Sequence, residues 1–343
     1  MIAVVPETHK KQGVCYAIAD DGLELPVIDV THGAFAFDLS DEQLSAQIDR
    51  FVQSLQAAVA LPPGAMAAMA QKSRLMRGLV AMGGESYTSG MVTYLNKLGP
   101  DNLGEGYASP LDRQWAAGLT PLTFRWRMRD LARLLADGLA PALAARPDAP
   151  MIMVNIAGGP AADSWNALIL LQKEHPTLLA GRHIRIYVLD VDAEGPHFGA
   201  QALEALTAAD GPLAGLDAVL EYIRYDWAQP QQLRILLRAI DAIHAVVAVS
   251  SEGGLFEYAA DDQIVANLAV LAGETPPETI VAGPVVRDAT TLDPRLVATE
   301  HAPGRPPIRY LGLAKFVELA ARGGWHIARH LDGPMHQVVC LHR

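Results

Sequence analysis

The strongest constraint on the fold is an alternation of short apolar runs with helical periods between residues 151 and 286. The apolar runs have the length of buried strands and fall at residues 151–156, 184–189, 218–225, 245–249 and 279–286. Helical periods separate them at residues 163–174, 199–208, 231–242 and 261–271. This alternation predicts right-handed crossovers and an open parallel sheet with helices on both faces.

The end of the chain departs from that alternation. A helical period at residues 313–321 is followed by short β runs at 325–330 and 337–341. A turn made of Asp332, Gly333 and Pro334 separates the β runs. Strands joined so tightly have to be antiparallel, so we predict that the mostly parallel sheet ends in an antiparallel pair.

The chain begins with a β pattern and a helix. β runs at 14–19 and 23–30 flank Asp20-Asp21-Gly22, which predicts a hairpin. Ser40 and Gln43 have the spacing of a capping box, which predicts the start of a helix.

Two further segments complete the amino-terminal part. A second helix is predicted over residues 65–82, and the glycine-rich segment 85–110 is predicted to be irregular and to act as a lid. We therefore divide the chain into a hairpin and helical cap at residues 1–120 and an α/β domain at residues 121–343.

Composition narrows the class of protein. Half of the 343 residues are hydrophobic and 19% are charged, so disorder is not expected. The net charge of −11 argues against a nucleic-acid partner. No apolar run approaches the roughly 20 residues that span a bilayer, the first residues lack the pattern of a secretion signal, and the two cysteines match no metal site. We expect a cytoplasmic enzyme with a small-molecule partner, no membrane partner and no metal, and leave open whether it is a homo-oligomer.

A glycine turn follows the first predicted strand of the sheet. Asn155 lies near the end of that strand, and Ala157, Gly158 and Gly159 lead into the next helix. Adjacent glycines let a backbone approach a ligand closely, and the helix start offers free N–H groups. The alternative is a tight strand-to-helix turn that binds nothing.

Acidic residues end the second predicted strand of the sheet. Asp190 closes its apolar run and Asp192 follows two residues later. A carboxylate at this position binds ribose hydroxyls in nucleotide-binding sheets. The alternative is a solvated or helix-capping aspartate, and we favour Asp190 as the ribose ligand because it ends the apolar run.

From about residue 121 to the end, the chain resembles the class I S-adenosylmethionine-dependent methyltransferases, a Rossmann-like family. The segment 155–159 is similar to the family's first motif, and 189–192 to its ribose-binding acid. The segment 225–227 resembles the region that flanks the adenine. The terminal strand pair is similar to the one that distinguishes this family from nicotinamide-binding domains.

The resemblance implies S-adenosyl-L-methionine as the cofactor. The residues that it places in contact with the cofactor are Asn155, Ala157, Gly158, Gly159, Asp190, Asp192, Asp226, Trp227 and Ser250. The family often has an acid where this chain has Asn155. About thirty residues separate Gly159 from Asp190, more than the ~20 of dinucleotide-binding folds.

The resemblance also places the methyl acceptor beyond the fourth strand of the sheet. Ser251 and Glu252 lie there, and Tyr87 and Tyr94 from the lid segment are further candidates for the acceptor pocket. Glu252 is a candidate for the catalytic base; its other roles are to orient the acceptor or to be a simple loop carboxylate.

Arginines on one helical face form a further group, at positions 125, 129 and 133. Their spacing of four residues is typical of a solvated helix face, and contact with an anionic acceptor or with the cofactor carboxylate is the more specific interpretation.

Two other functions stay open on the sequence. A nicotinamide-dependent oxidoreductase is disfavoured because the glycine turn lacks the third glycine of the dinucleotide fingerprint. A non-catalytic module that keeps the cofactor-binding fold is left open by the departure at Asn155.

Overall fold

A computed structural model describes residues 5–62, 64–76, 89–297 and 309–343. A small antiparallel sheet and a seven-stranded sheet are present in this part of the chain. The strands are β1 (Tyr16–Ile18), β2 (Glu24–Pro26), β3 (Met151–Ile156), β4 (His183–Asp190), β5 (Asp217–Arg224), β6 (Val246–Ser250), β7 (Ile280–Val286), β8 (His326–Asp332) and β9 (His336–His342).

The large sheet has the order β5-β4-β3-β6-β7-β9-β8. Strands β3 to β7 run parallel to one another, whereas β9 is antiparallel to both β7 and β8. All residues of β3, at the centre of the sheet, are buried, because helices cover both faces. The predicted fold class, a mostly parallel Rossmann-like sheet with a terminal antiparallel pair, is confirmed.

Strand register brings the carboxyl ends of the central strands together. Ile156 of β3 pairs with Leu189 of β4, and Asn155 of β3 pairs with Ser250 of β6. The segments that follow these strands therefore meet at one edge of the sheet, which is the edge where open α/β sheets bind ligands.

The helices separate the strands as predicted. They are α1 (Asp41–Val59), α2 (Ala65–Gln71), α3 (Gly90–Lys97), α4 (Pro110–Ala116), α5 (Leu119–Ala145), α6 (Ala162–Glu174), α7 (Glu194–Thr207), α8 (Gln231–Asp241), α9 (Leu255–Tyr258), α10 (Asp261–Glu274), α11 (Pro294–Val297) and α12 (Leu313–Arg322). Helix α5 packs closely on the sheet at Gly138, where an added Cβ would lie 2.7 Å from Ile280.

The amino-terminal part matches the sequence at its hairpin and first helix. Strand β1 pairs antiparallel with β2, which confirms the hairpin in a shorter form. The Ser40 hydroxyl accepts the Gln43 N–H, and the Gln43 side chain accepts the Ser40 N–H, so the predicted capping box is present at α1. Helix α2 ends at Gln71 rather than at residue 82, and residues 77–82 lie outside the described part of the chain.

The predicted irregular segment 85–110 contains a helix. Helix α3 begins where the Ser89 side chain accepts the Met91 N–H, and its last four residues are buried. The prediction of an irregular segment was wrong here, because glycines at 90 and 99 begin and follow the helix instead of interrupting it. Tertiary burial supplies the stability that the glycine-rich sequence does not indicate.

The cap and the sheet share one apolar core. The Trp165 indole N–H of α6 donates to the Ile28 carbonyl at 2.8 Å. The Tyr94 hydroxyl donates to the Pro26 carbonyl and accepts the Ile28 N–H. The segment after the hairpin is thus held between α3 and α6, and the boundary at residues 120 and 121 stays a prediction.

Both cysteines are free thiols, and burial raises the pKa of Cys340 to about 11. Among the helices of the described residues, none is both long enough and apolar enough to cross a membrane.

Candidate active site

The turn after β3 has an unusual backbone. Ala157, Gly159 and Ala161 all have positive φ angles, of 56°, 58° and 61°. Two of these are alanines, for which the left-handed region costs energy, so the surrounding contacts have to hold the turn in place. One such contact is the bond from the Ala157 N–H to the Leu189 carbonyl, at 2.7 Å.

The two glycines of the turn are packed by protein atoms. A Cβ added to Gly158 would lie 2.1 Å from the Asn155 side-chain oxygen. A Cβ added to Gly90 of α3 would lie 2.4 Å from the Gly159 Cα, and one added to Gly195 of α7 would lie 2.8 Å from the same atom. Because glycine has no side chain, the backbones of α3 and α7 can lie this close to the turn.

Asp190 is bound to the glycine turn. Its carboxylate accepts the Gly159 N–H at 3.2 Å with one oxygen and the Asp192 N–H at 3.1 Å with the other. The residue is 8% exposed, and burial raises its pKa. Because an ionised carboxylate accepts about four hydrogen bonds, about half of its capacity is left for a ligand.

Further residues lie at the same edge of the sheet as Asp190. Asp192 is half-buried and accepts the Glu194 N–H at 3.0 Å, at the start of α7. Asp226 is exposed, and Trp227 is 9% exposed. We call Asp190, Asp192, Asp226 and Trp227 the acidic side of the edge.

Asn155 is the centre of a buried polar cluster. Its amide N–H groups are within donor distance of Asp163 Oδ1 at 2.9 Å, Ser250 Oγ at 3.1 Å and Ser164 Oγ at 3.3 Å. The Asn155 oxygen and Asp163 Oδ2 are buried and have no hydrogen-bond partner among the described residues. Burial, and then the neighbouring charge of Glu252, raise the pKa of Asp163 to about 6.

Glu252 lies in a buried network of charges. One of its oxygens accepts from the Lys97 ammonium, and the other accepts from Arg127 Nε at 2.7 Å. The Arg127 Nη1 group donates to both oxygens of Glu257, at 2.7 and 2.9 Å. The four side chains are no more than 4% exposed. We call Gly158, Gly159 and Glu252 the closed side of the edge, because α3 and α5 cover it.

Two residues of the predicted acceptor pocket are buried in this conformation. Tyr94 is fully buried and its hydroxyl makes two backbone hydrogen bonds, so it lines no open cavity. Ser251 is 3% exposed; its hydroxyl donates to the Ile156 carbonyl and accepts the Leu255 N–H. In this conformation both side chains are part of the core, and their place in an acceptor pocket stays a prediction. Tyr87 lies outside the described residues.

The sequence does not indicate the partners of Glu252. Lys97 lies in the segment predicted to be a lid, and Arg127 lies between Arg125 and Arg129. The one signal in the sequence is a lysine at the end of a helix that has no other charged residue, and this signal does not identify the partner.

The fold is similar to the folds of several solved structures. No family model and no curated protein matches the chain. A crystal structure described as a possible exported protein from Bordetella parapertussis aligns with a TM-score of 0.56 at 16% identity, over 89% of this chain and 99% of that one.

Two further solved structures align less closely. LepI in complex with S-adenosylhomocysteine and a substrate analogue gives a TM-score of 0.44 at 13% identity, over 88% of this chain and 95% of that one. The S-adenosylmethionine-dependent methyltransferase SibL in its apo form gives 0.42 at 15% identity, over 86% and 74%.

The fold is assigned from the order and direction of the strands in the large sheet. Five parallel strands with the order β5-β4-β3-β6-β7, followed by an antiparallel β9 inserted between β7 and β8, distinguish this sheet from that of a nicotinamide-binding domain. The chain has the fold of the class I S-adenosylmethionine-dependent methyltransferases.

Proposed function

We propose that this protein transfers a methyl group from S-adenosylmethionine to a small-molecule acceptor. The observation that carries the proposal is Asp190, which ends β4, is oriented by the Gly159 N–H and keeps acceptor capacity in its carboxylate. That is the position and chemistry required for the hydroxyls of a ribose.

The acidic side fits the nucleoside half of the cofactor. Asp190 and Asp192 would accept hydrogen bonds from the ribose, and Asp226 with Trp227 would flank the adenine. The closed side fits the methionine half only if the first turn of α3 moves away from Gly159, because the two backbones are in contact. Residues assigned to that half are Asn155, Ala157, Gly158, Gly159 and Ser250.

The bound cofactor would supply an electrophilic methyl group, and the chain would position the acceptor and exclude water. In this conformation, the two oxygens of Glu252 are ion-paired with Lys97 and Arg127 and its side chain is completely buried, so its carboxylate is not accessible to an acceptor. We therefore propose Glu252 as a positioning residue that holds Lys97 and Arg127, and methyl transfer by proximity rather than by a dedicated base.

Calorimetric titration tests the cofactor assignment. S-adenosylhomocysteine should bind, and NAD should not, because the glycine turn lacks the third glycine that dinucleotide folds use. Binding of NAD without binding of S-adenosylhomocysteine would overturn the proposal and favour the oxidoreductase.

A second candidate is a non-catalytic module with this fold. The observation that favours it is the packing of Gly159 by Gly90 and Gly195, which gives the glycines a structural purpose without a ligand. Absence of S-adenosylhomocysteine binding, both in the wild type and in a variant with α3 displaced, would favour this candidate.

We propose a cytoplasmic location, which the two free thiols support, since a reducing compartment keeps cysteines unpaired.

A further inference from the structure

A cavity of about 100 Å³ lies between the segment that follows the hairpin and helix α5. It is separate from the acidic side, but Lys97, which contacts Glu252 on the closed side, is part of its wall. The wall combines aromatic rings with cationic groups, contributed chiefly by Ile28, Phe35, Phe37, Lys97, Arg125 and Arg129.

Arg125 is the cation of this cavity that has no anionic partner. Its Nε atom is buried without a hydrogen-bond partner, and no ion pair joins its guanidinium to any residue that the structure describes. Asp101 acts on it only through space, and burial lowers the pKa of Arg125. A buried polar group without a partner is costly, so this guanidinium is suited to a ligand that supplies acceptors.

Its neighbours hold the guanidinium in place. It stacks on the Phe37 ring with 5.3 Å between the guanidinium carbon and the ring centroid. It also packs against Gly99, where an added Cβ would lie 2.9 Å from an Nη atom. Because these contacts already fix the planar guanidinium, it loses less conformational entropy on binding a ligand than a flexible ammonium group would.

The other cations of the cavity are already paired. Arg129 stacks on the same Phe37 ring, 4.6 Å from its centroid, and binds Asp130 at 3.0 Å. Lys97 is bound to Glu252. Arg125 is therefore the cation of the cavity wall that has no paired anion among the described residues.

We propose that this cavity binds the carboxylate group of the methyl acceptor, with Arg125 as its ligand and the Phe35 ring beside the apolar part of the acceptor. A guanidinium matches a carboxylate in a bidentate geometry. At about 100 Å³ the cavity takes the carboxylate end of a compact acid, whose ring stays at the opening, and it is too small for a nucleotide. The assignment to the acceptor rests on the proposed function, whereas the binding of the anion does not.

Titration with benzoate, in the absence of cofactor, tests the site. Benzoate should bind the wild type at least tenfold more tightly than benzamide, which has the same shape without the charge. Arg125→Gln should weaken benzoate binding at least tenfold, and Arg125→Lys should restore part of the affinity. Equal binding of benzoate and benzamide to the wild type would overturn the site, as would no binding of either.

Arg133→Gln is the matched control. Arg133 lies two turns further along the same helix face and is paired with Glu174 at 2.7 Å, so benzoate affinity should change less than twofold. Benzoate binding that falls equally in both variants would contradict the proposal. If benzoate binding depends on Arg125 while S-adenosylhomocysteine does not bind the wild type, the proposed function fails and the anion site stands; the reverse pattern removes the anion site alone.

Discussion

The acidic side and the closed side lie at the same edge of the sheet, but they are built from different parts of the chain. Asp190 reaches Gly159 across 31 residues, within one strand-helix-strand unit. Glu252 is held by Lys97 and Arg127 across 155 and 125 residues. The acidic side is thus a product of the sheet itself, whereas the closed side depends on helices from the first half of the chain.

The two sides also differ in electrostatics. On the acidic side the carboxylates accept backbone N–H groups, and Asp226 is exposed. On the closed side charged groups are paired almost completely out of water. Removing one partner of such a pair costs more than the pair contributes as a whole, because it leaves a buried charge uncompensated.

The largest effect is expected from Lys97→Met. The change keeps an unbranched side chain and leaves Glu252 with Arg127 alone, so the free energy of unfolding should fall by about 3 kcal/mol or more. Urea denaturation measures it. Lys315→Met, at a surface lysine 3.1 Å from Glu318, is the control and should cost ~1 kcal/mol or less. Equal losses in the two variants would show that the closed side is not held by this pair.

Asp163, whose pKa is raised by burial and by the nearby charge of Glu252 on the closed side, gives the stability of the protein a pH dependence. Its pKa is raised from 3.8 to about 6, so the folded protein retains this proton to higher pH than the unfolded chain. The resulting stability is fully present below about pH 4 and is lost as the pH rises through 6. Relative to the wild type, Asp163→Asn should therefore gain about 2 to 3 kcal/mol between pH 4 and pH 7.5.

Asp112→Asn is the control with the opposite sign. Burial raises the pKa of Asp112, but hydrogen bonds from Ser73 and Ser109 outweigh that cause and lower it overall. The stability that Asp112 contributes is present above pH 4 and is lost as the pH falls further. The same slope in both variants would mean that the Asp163 carboxyl is not desolvated.

Gly90→Ala tests whether the closed side competes with a ligand. The new methyl group would meet Gly159 and push α3 away, at a cost of roughly 1 to 3 kcal/mol of stability. Binding of S-adenosylhomocysteine should tighten in spite of that loss, because the turn is uncovered. Calorimetry and urea denaturation measure the two effects.

The control for that variant is Gly273→Ala in α10, where an added Cβ meets no atom within 4 Å. This change should leave ligand affinity unaltered and stabilise the helix by up to about 1 kcal/mol. Weaker ligand binding in Gly90→Ala would show that α3 forms part of the binding site and does not compete with the ligand.

The smallest effect is expected on the acidic side itself. Asp190→Asn keeps one acceptor oxygen and removes the charge, so affinity for S-adenosylhomocysteine should fall about tenfold, or ~1.4 kcal/mol. Asp192→Asn should cost less, since that carboxylate is less buried and already caps α7. A larger loss of affinity in Asp192→Asn than in Asp190→Asn would identify Asp192 as the ribose ligand.

Much of the sheet could be predicted from local patterns. The apolar runs at residues 151–156 and 184–189 differ from β3 and β4 by at most one residue at either end. The sequence patterns indicate the glycine turn and Asp190 as one candidate site, and the structure joins them by a hydrogen bond. The role of these residues in cofactor binding stays a prediction.

The sequence by itself determined the layered sheet, its antiparallel ending and the meeting of the glycine turn with Asp190, because strand periodicity and strand-to-helix turns are local properties. Only the tertiary structure decided that Gly90 of α3 covers Gly159 and that Lys97 neutralises Glu252. Such contacts depend on packing between distant segments, and a buried lysine or a glycine looks the same in the sequence whether it faces a ligand or another helix.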